Sequence, residues 1–258
     1  MNLRLLLAGL LLSGSVVGCQ SVDTSTFDLE AAGATGYVFR GLRMNEGPGA
    51  EVQATVDLNR GDTSTLSGYV WGYVDVTGDP SDGALETNND LRFSRLDVGA
   101  YWSRTYTDWA FSAGVLNYNF PNVVAASTTE VFFSAERVDK WYRPRGVFYY
   151  DLQNADDFYI RVGSHPRYEF DRALYGDIGF DLGYMGDGQG RFYYGAAESG
   201  ISDALLTAGL TYVQDETFRA FLRFGFAAVL ESGLKDQNDL NGFENDSAWF
   251  SVGCGWTY

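Results

Sequence analysis

The chain has a single histidine, His165, followed at once by Pro166. A hydrolase built on a hydroxyl nucleophile needs a histidine base and a third group to orient its ring. The neighbouring hydroxyl is Ser164, and adjacent residues of an extended chain point to opposite faces. The pair therefore makes no nucleophile–base couple on a strand. His165 reads as a polar residue near a turn, and the chain reads as a non-enzyme. A second stretch, KDQNDLNGFEND from Lys235 to Asp246, is rich in oxygen ligands. It fails the spacing of a calcium loop counted from Asp236, because Leu240 occupies the fifth ligand position. Neither a metal nor a cofactor is expected. Arg60-Gly61-Asp62 matches an adhesion tripeptide but falls in a tight connection on the periplasmic side of the topology below.

Charge recurs in a pattern that points elsewhere. In LYGDIGFDLGY, Leu174, Gly176, Ile178, Phe180, Leu182 and Tyr184 alternate with Tyr175, Asp177, Gly179, Asp181 and Gly183. In FRAFLRFGF, Phe218, Ala220, Leu222, Phe224 and Phe226 alternate with Arg219, Phe221, Arg223 and Gly225. Period two is the period of a strand. The same alternation puts Glu51, Asp57, Glu136 and further ionisable residues on polar faces. The candidate set facing one interior is Arg95, Asp97, Arg145, Asp151, Arg161, Asp177, Asp181, Arg219 and Arg223. Such charges line an aqueous path and select solutes, or they pair across strands and fill a narrow barrel as a salt-bridge lattice. About eight strands enclose a filled interior and about sixteen leave a channel. Both readings stand at this point.

These side chains need strands to position them. The 258 residues are 45% hydrophobic and 16% aromatic, with 31 glycines and 5 prolines. No segment long enough for a helix of three turns carries helical periodicity. Alternating segments recur instead, about twelve of them, over 27–39, 48–59, 64–76, 91–103, 107–118, 128–138, 144–153, 157–165, 172–184, 202–213, 217–230 and 246–258. Pro48, Pro80, Pro121, Pro144 and Pro166 fall in connections or at strand starts, as the missing ladder N–H requires. Tight connections alternate with long polar ones, except that 154–156 is short where a long one is expected. The face taken by Tyr69, Trp71 and Tyr73 stays open. A formal charge of −16 argues against nucleic acid as a partner, because a phosphate binder needs a basic stripe.

The N-terminus is separate. Asn2 and Arg4 precede LLLAGLLL, and small residues follow to Gly18, the pattern of a secretory signal peptide over residues 1–18. VVGC, Val16 to Cys19, resembles a lipobox, so Cys19 is the expected lipid attachment point and 19–26 the tether to a barrel over 27–258. Ordinary cleavage near Gly18 is the alternative. Cys254 then has no intrachain partner, and no disulfide follows from the count.

Alternation alone does not say whether the apolar face meets a protein core or lipid, since a soluble sandwich also alternates. Two features favour lipid. Charges sit mid-strand on the polar face. Trp102, Trp109, Trp141 and Trp256 gather near the short-turn side, as in the aromatic girdle of an outer-membrane barrel. The alternative is a secreted, lipid-anchored soluble β-protein. The terminal FSVGCGWTY alternates to its last residue, with Phe250, Val252 and Cys254 toward lipid and Trp256 and Tyr258 at the membrane boundary. The terminal aromatic resembles the signal read by the barrel-insertion machinery. The last strand must also pair with the first, because an open edge in hydrocarbon leaves backbone groups unpaired.

One stretch carries a resemblance. ATGYVFRGLRMNEGPGAEVQATVDL followed by GYVWGYVDV resembles the TorF-type, or Gcw_chp, family of bacterial outer-membrane proteins. Tyr37, Phe39, Arg40 and Gly41, then Pro48 and Ala50, then Tyr69, Trp71 and Gly72 are the matching positions. Arg43-Met44-Asn45-Glu46 departs from the family's usual first loop. The resemblance implies an all-β, closed antiparallel transmembrane barrel of about twelve strands in the outer membrane. It further implies porin-like passage of small solutes, and it transfers no catalytic residue. Outer-membrane lipids are the other expected contact. At the mouth, Arg40 is placed to reach loop acids and Gly41 to allow a sharp reversal.

Overall fold

A computed structural model describes residues 26–45, 47–60, 64–76, 92–121 and 126–258. The expected signal segment 1–18, Cys19, nearly all of the tether and the Gly61-Asp62 step lie outside these residues. The chain forms β1 (Phe27–Ala34), β2 (Tyr37–Phe39), β3 (Leu42–Asn45), β4 (Gly49–Arg60), β5 (Ser64–Asp75), β6 (Arg92–Tyr106) and β7 (Trp109–Asn119). It continues through β8 (Thr128–Arg137), β9 (Pro144–Asp151), β10 (Phe158–Ser164), β11 (Arg167–Glu169) and β12 (Leu174–Met185). Helix α1 (Asp187–Tyr193), β13 (Gly200–Val213), β14 (Phe218–Val229), helix α2 (Ser232–Asn241) and β15 (Asp246–Thr257) complete it.

All strand pairs are antiparallel. Chain neighbours pair in turn, β15 pairs with β1, β1 with β4, and β10 with β12. No edge is left, so the sheet is a closed barrel. β10 and β11 are one stave. Ser164 faces Phe180 and Arg167 faces Asp177, which is the same register on both sides of Pro166. Counted so, the wall has twelve staves. The stave read as 157–165 thus runs on to Glu169, past a proline that lacks an N–H to give. Closure reaches the last residue: the Phe27 N–H donates to the Tyr258 carbonyl at 2.9 Å, and the Tyr258 N–H to the Phe27 carbonyl at 2.8 Å.

The barrel is inside out relative to a soluble protein. Outward residues are large and apolar, with Phe133 50%, Ile178 59% and Val252 52% exposed. Inward residues are polar and buried, among them Ser67, Asp97, Glu130, Asp181, Asp203 and Ser251. That arrangement suits hydrocarbon outside and a polar interior, and it excludes the soluble alternative. The chain is an outer-membrane barrel. Trp71 and Tyr73, whose face the alternation left open, point inward and are buried. Cys254 lies on the outer face, opposite Ala31 and Ala220.

The two rims differ. Phe27, Tyr258 and the described short turns share one rim. The other carries α1, which joins β12 to β13, and α2, which joins β14 to β15. Both helices are too short for the periodicity test used on the sequence. α2 occupies most of the stretch weighed as a calcium loop. Gly242, at φ 77°, ends it by donating to the Asp239 carbonyl at 3.3 Å. Among the described residues no group of three or more His, Cys, Asp or Glu side chains could hold a metal.

Candidate functional site in the barrel lumen

The segment read as one strand over 27–39 breaks after Ala34. The Thr35 N–H still donates to the Phe250 carbonyl at 2.9 Å. The chain then leaves the wall, and β2 and β3 form a separate two-stranded sheet. Phe39 pairs with Leu42, so Arg40 and Gly41 are the two loop residues of a hairpin. Their φ values are 50° and 84°, the positive pair that a type I′ turn requires. This hairpin lies inside the barrel at the long-loop half. Leu42 packs with Tyr159, Met185, Tyr194, Val229 and Leu234, which come from the wall, α2 and the residue after α1.

The hairpin tip is held by charge. Arg40 is placed within the interior, not at the mouth, and is 3% exposed. Its Nη2 donates to Glu130 Oε2 at 2.5 Å and its Nη1 to Gln189 Oε1 of α1 at 2.6 Å. The Tyr194 hydroxyl donates to the Arg40 carbonyl at 2.5 Å. Burial raises the Tyr194 phenol well above its ordinary pKa, so it remains a donor. α1 is itself tied down, because the Gly188 N–H donates to Asp157 Oδ2 at 2.8 Å.

A second buried pair lies beside the first. Arg95 makes a two-pronged contact with Asp97 at 2.6 and 2.7 Å and also donates to the Tyr37 hydroxyl. Phe39 sits between the two guanidinium groups, 4.8 Å from Arg40 and 3.8 Å from Arg95. The Arg40–Glu130 ion pair and the cation–π contact of Arg95 with Phe39 thus hold the hairpin to the wall.

The short-turn half is more open. Arg145 donates to Asp181 at 2.9 Å, and His165 Nε2 lies 3.0 Å from the same carboxylate. Ser164 donates instead to the Tyr142 carbonyl, so serine and histidine do not form a couple. Arg219 donates to Asp28 at 2.5 Å and Glu30 at 2.8 Å, and Arg223 to Glu30 at 3.0 Å. A polar cavity of about 270 Å³ lies here, bordered by Asp28, Gln53, Thr55, Asp57, Tyr101 and Arg219.

The register puts Arg95, Asp97, Arg145, Asp151, Arg161, Asp177, Asp181, Arg219 and Arg223 all on the inner face. Their roles differ. Asp151 accepts from the Thr128 hydroxyl at 2.6 Å and from the Gln153 and Asn154 N–H groups at 2.8 and 2.9 Å. It is a turn-capping residue, which accounts for the unusually short connection there. Asp177 lies opposite Gly209, where the missing side chain leaves it room. The sequence reading missed Glu130 and Asp203. Glu130 sits on the inner face of the alternating segment TTEVFFSAER, and the alternation alone would have found it. Asp203 follows a bulge at Ser202 that leaves Ile201 outward and both Ser202 and Asp203 buried, so alternation counted from Ile201 misplaces it.

Comparison of folds finds outer-membrane channels. The COG4313 outer membrane channel of Pseudomonas putida F1 matches with a TM-score of 0.57 and 8% identity, over 91% of this chain and 95% of that one. The KdgM porin, solved with disordered oligogalacturonate, matches at 0.47 and 10% identity, over 90% and 99%. The outer membrane channel DcaP of Acinetobacter baumannii matches at 0.43 and 10%, over 94% and 100%. At these identities the likeness is one of fold. No protein-family model and no curated protein matches the sequence.

Proposed function

We propose that this barrel is a channel for small solutes whose lumen is narrowed by the Tyr37–Asn45 hairpin. The observation that carries the reading is that the obstruction is no part of the wall. β2 and β3 pair only with each other, while the wall is complete without them. A charged cavity borders the short-turn rim, and removal of the hairpin would extend it. The fold shared with an outer-membrane channel supports the same reading. Planar-bilayer recording tests it. The whole chain is expected to give small unitary currents, and a variant with residues 37–45 replaced by a short glycine-serine link larger ones. Silence from both would sink the proposal.

A second reading has its own support. Arg40 and Glu130 are 2% and 0% exposed, a degree of burial that suits a permanent plug. The barrel is then structural, and its long-loop rim is the part that meets ions, lipid or a partner. Silence from the hairpin-free variant, together with an unchanged fold, is its expected result.

The remaining features join this proposal. The long-loop rim faces outward, and Tyr258 at the end of β15 is read by the insertion machinery. Residues 1–18 are removed, Cys19 is acylated, and 19–26 tether the barrel. Mass spectrometry of the mature N-terminus tests this, since an unmodified end near Gln20 would contradict acylation. The TorF-type relationship rests on the residues that form the hairpin and the strands around it, Tyr37, Phe39, Arg40, Gly41 and Trp71.

A further inference from the structure

The lumen arginines differ in one respect. Arg40, Arg95, Arg145, Arg219 and Arg223 each donate to a carboxylate at 2.5 to 3.0 Å. Arg161 donates to a phenol. Its Nε and Nη2 reach the Tyr159 hydroxyl oxygen at 3.2 and 3.0 Å, and Asp203 Oδ2 is 4.0 Å away. Asp203 is already engaged, by the Tyr159 hydroxyl at 3.1 and 3.2 Å and the Ser202 hydroxyl at 2.7 Å. Among the described residues Arg161 Nη1 has no acceptor. The Arg161 side chain is 22% exposed, against 2% for Asp203.

Arg161 lines a cavity of about 110 Å³ beneath the hairpin, together with Phe39, Tyr149, Tyr159 and Trp249. A guanidinium is a planar fork that matches a carboxylate, and aromatic rings offer flat apolar faces. An apolar cavity of about 150 Å³ holds benzene; this one, about 110 Å³, is smaller and partly open, so a small planar ring would fill it and project from its open side. We propose that the cavity binds a small planar carboxylate, with its anion on Arg161 and its flat body against Phe39, Tyr149 and Trp249.

The inner wall carries more acids than bases, which repels an anion at range. Salt screens that field over about 8 Å, and a direct guanidinium contact acts well inside that distance. A flat organic cation is the other candidate, because the same rings would attract it. Its charge would need Asp203, which also borders the cavity but whose carboxylate is taken up by the Tyr159 and Ser202 hydroxyls and is 2% exposed, whereas the Arg161 side chain is 22% exposed.

The site rests on the channel reading for the route by which a solute arrives, and its test does not. The whole chain, folded in detergent micelles, is titrated with benzoate, benzylamine and benzyl alcohol, and tryptophan fluorescence is followed. Trp249→Phe identifies the reporting ring. Saturable benzoate binding is expected, at least tenfold tighter than for either analogue and weakened at least tenfold by Arg161→Gln. Arg161→Lys, which keeps the charge and loses the fork, is expected to fall between. Equal binding of benzoate and benzylamine, unchanged benzoate binding by both Arg161 variants, or no saturable binding would overturn the proposal. Currents without a benzoate site would remove this inference alone. A silent barrel that binds benzoate through Arg161 would remove the channel reading alone.

Discussion

Arg40 and Glu130, 90 residues apart in sequence, meet inside the barrel at 2.5 Å, with side chains 2% and 0% exposed. The other oxygen of Glu130, Oε1, is buried and has no hydrogen-bond partner among the described residues. Among the described residues Arg40 is the cation that pairs with that carboxylate. Arg40→Ala leaves a buried charge alone, at a cost of about 3–5 kcal/mol. The double variant Arg40→Ala/Glu130→Ala removes both charges and is expected to recover most of the loss. Denaturant midpoints in micelles for the two single variants and the double measure this coupling. Additive effects would mean that the pair does not hold the hairpin.

Gly41 seats the hairpin tip. Its φ is 84°, and a Cβ there would lie 2.8 Å from the Asp203 Cβ and 3.0 Å from the Tyr194 hydroxyl. Gly41→Ala therefore meets both backbone strain and crowding, together about 1–3 kcal/mol. It is expected to loosen the hairpin and raise unitary current. Gly33→Ala is the matched control, because nothing lies within 4 Å of a Cβ at that position. Equal currents from the two variants would show that the tip tolerates a side chain.

The wall was legible because lipid and lumen impose opposite demands at every second residue, so each stave carries its own inward and outward sets. Asp177 and Asp181 against Ile178 and Phe180 are enough to read β12 alone. The hairpin was not legible for the same reason. Tyr37 and Phe39 continue the alternation of β1, and period two does not register where a strand leaves the sheet. Gly36 and the Arg40-Gly41 pair are the available signs, and in sequence the latter reads as a turn at the mouth. Which arginine pairs with which acid was beyond a face assignment. Arg161 and Arg145 look alike in sequence, and only the third dimension gives one an acid and the other a phenol.

Asp139 lies in the turn between β8 and β9, outside the wall strands. Hydrogen bonds from Arg137 and then Lys140 lower its carboxyl to about 2. An unperturbed aspartate titrates near about 3.9. Because the folded value is the lower one, the stabilisation is complete above about pH 4 and is lost as pH falls toward about 2. The group lies at the surface, so the effect is small. Asp139→Asn is expected to lower the unfolding midpoint slightly at pH 7 and to converge with the unaltered chain near pH 2. A difference that stayed constant across that window would assign the effect to something other than ionisation.

Cys254 and Gln53 test the facing of the wall directly. Cys254 lies between Ala31 and Ala220 on the outer face. Gln53 pairs with Glu30 and Trp71 and borders the cavity of about 270 Å³. A charged maleimide needs water to reach a thiolate, and hydrocarbon excludes it. In intact membranes Cys254 is expected to resist the reagent. Gln53→Cys in a Cys254→Ser background is expected to react at the short-turn rim, and pre-incubation with a bulky lumen blocker should slow it. The reverse order, with Cys254 labelled quickly and Cys at 53 protected, would require β15 and β4 both to be turned over. Every cross-strand neighbour assigned to the lumen, Arg219 and Arg223 included, would then face lipid.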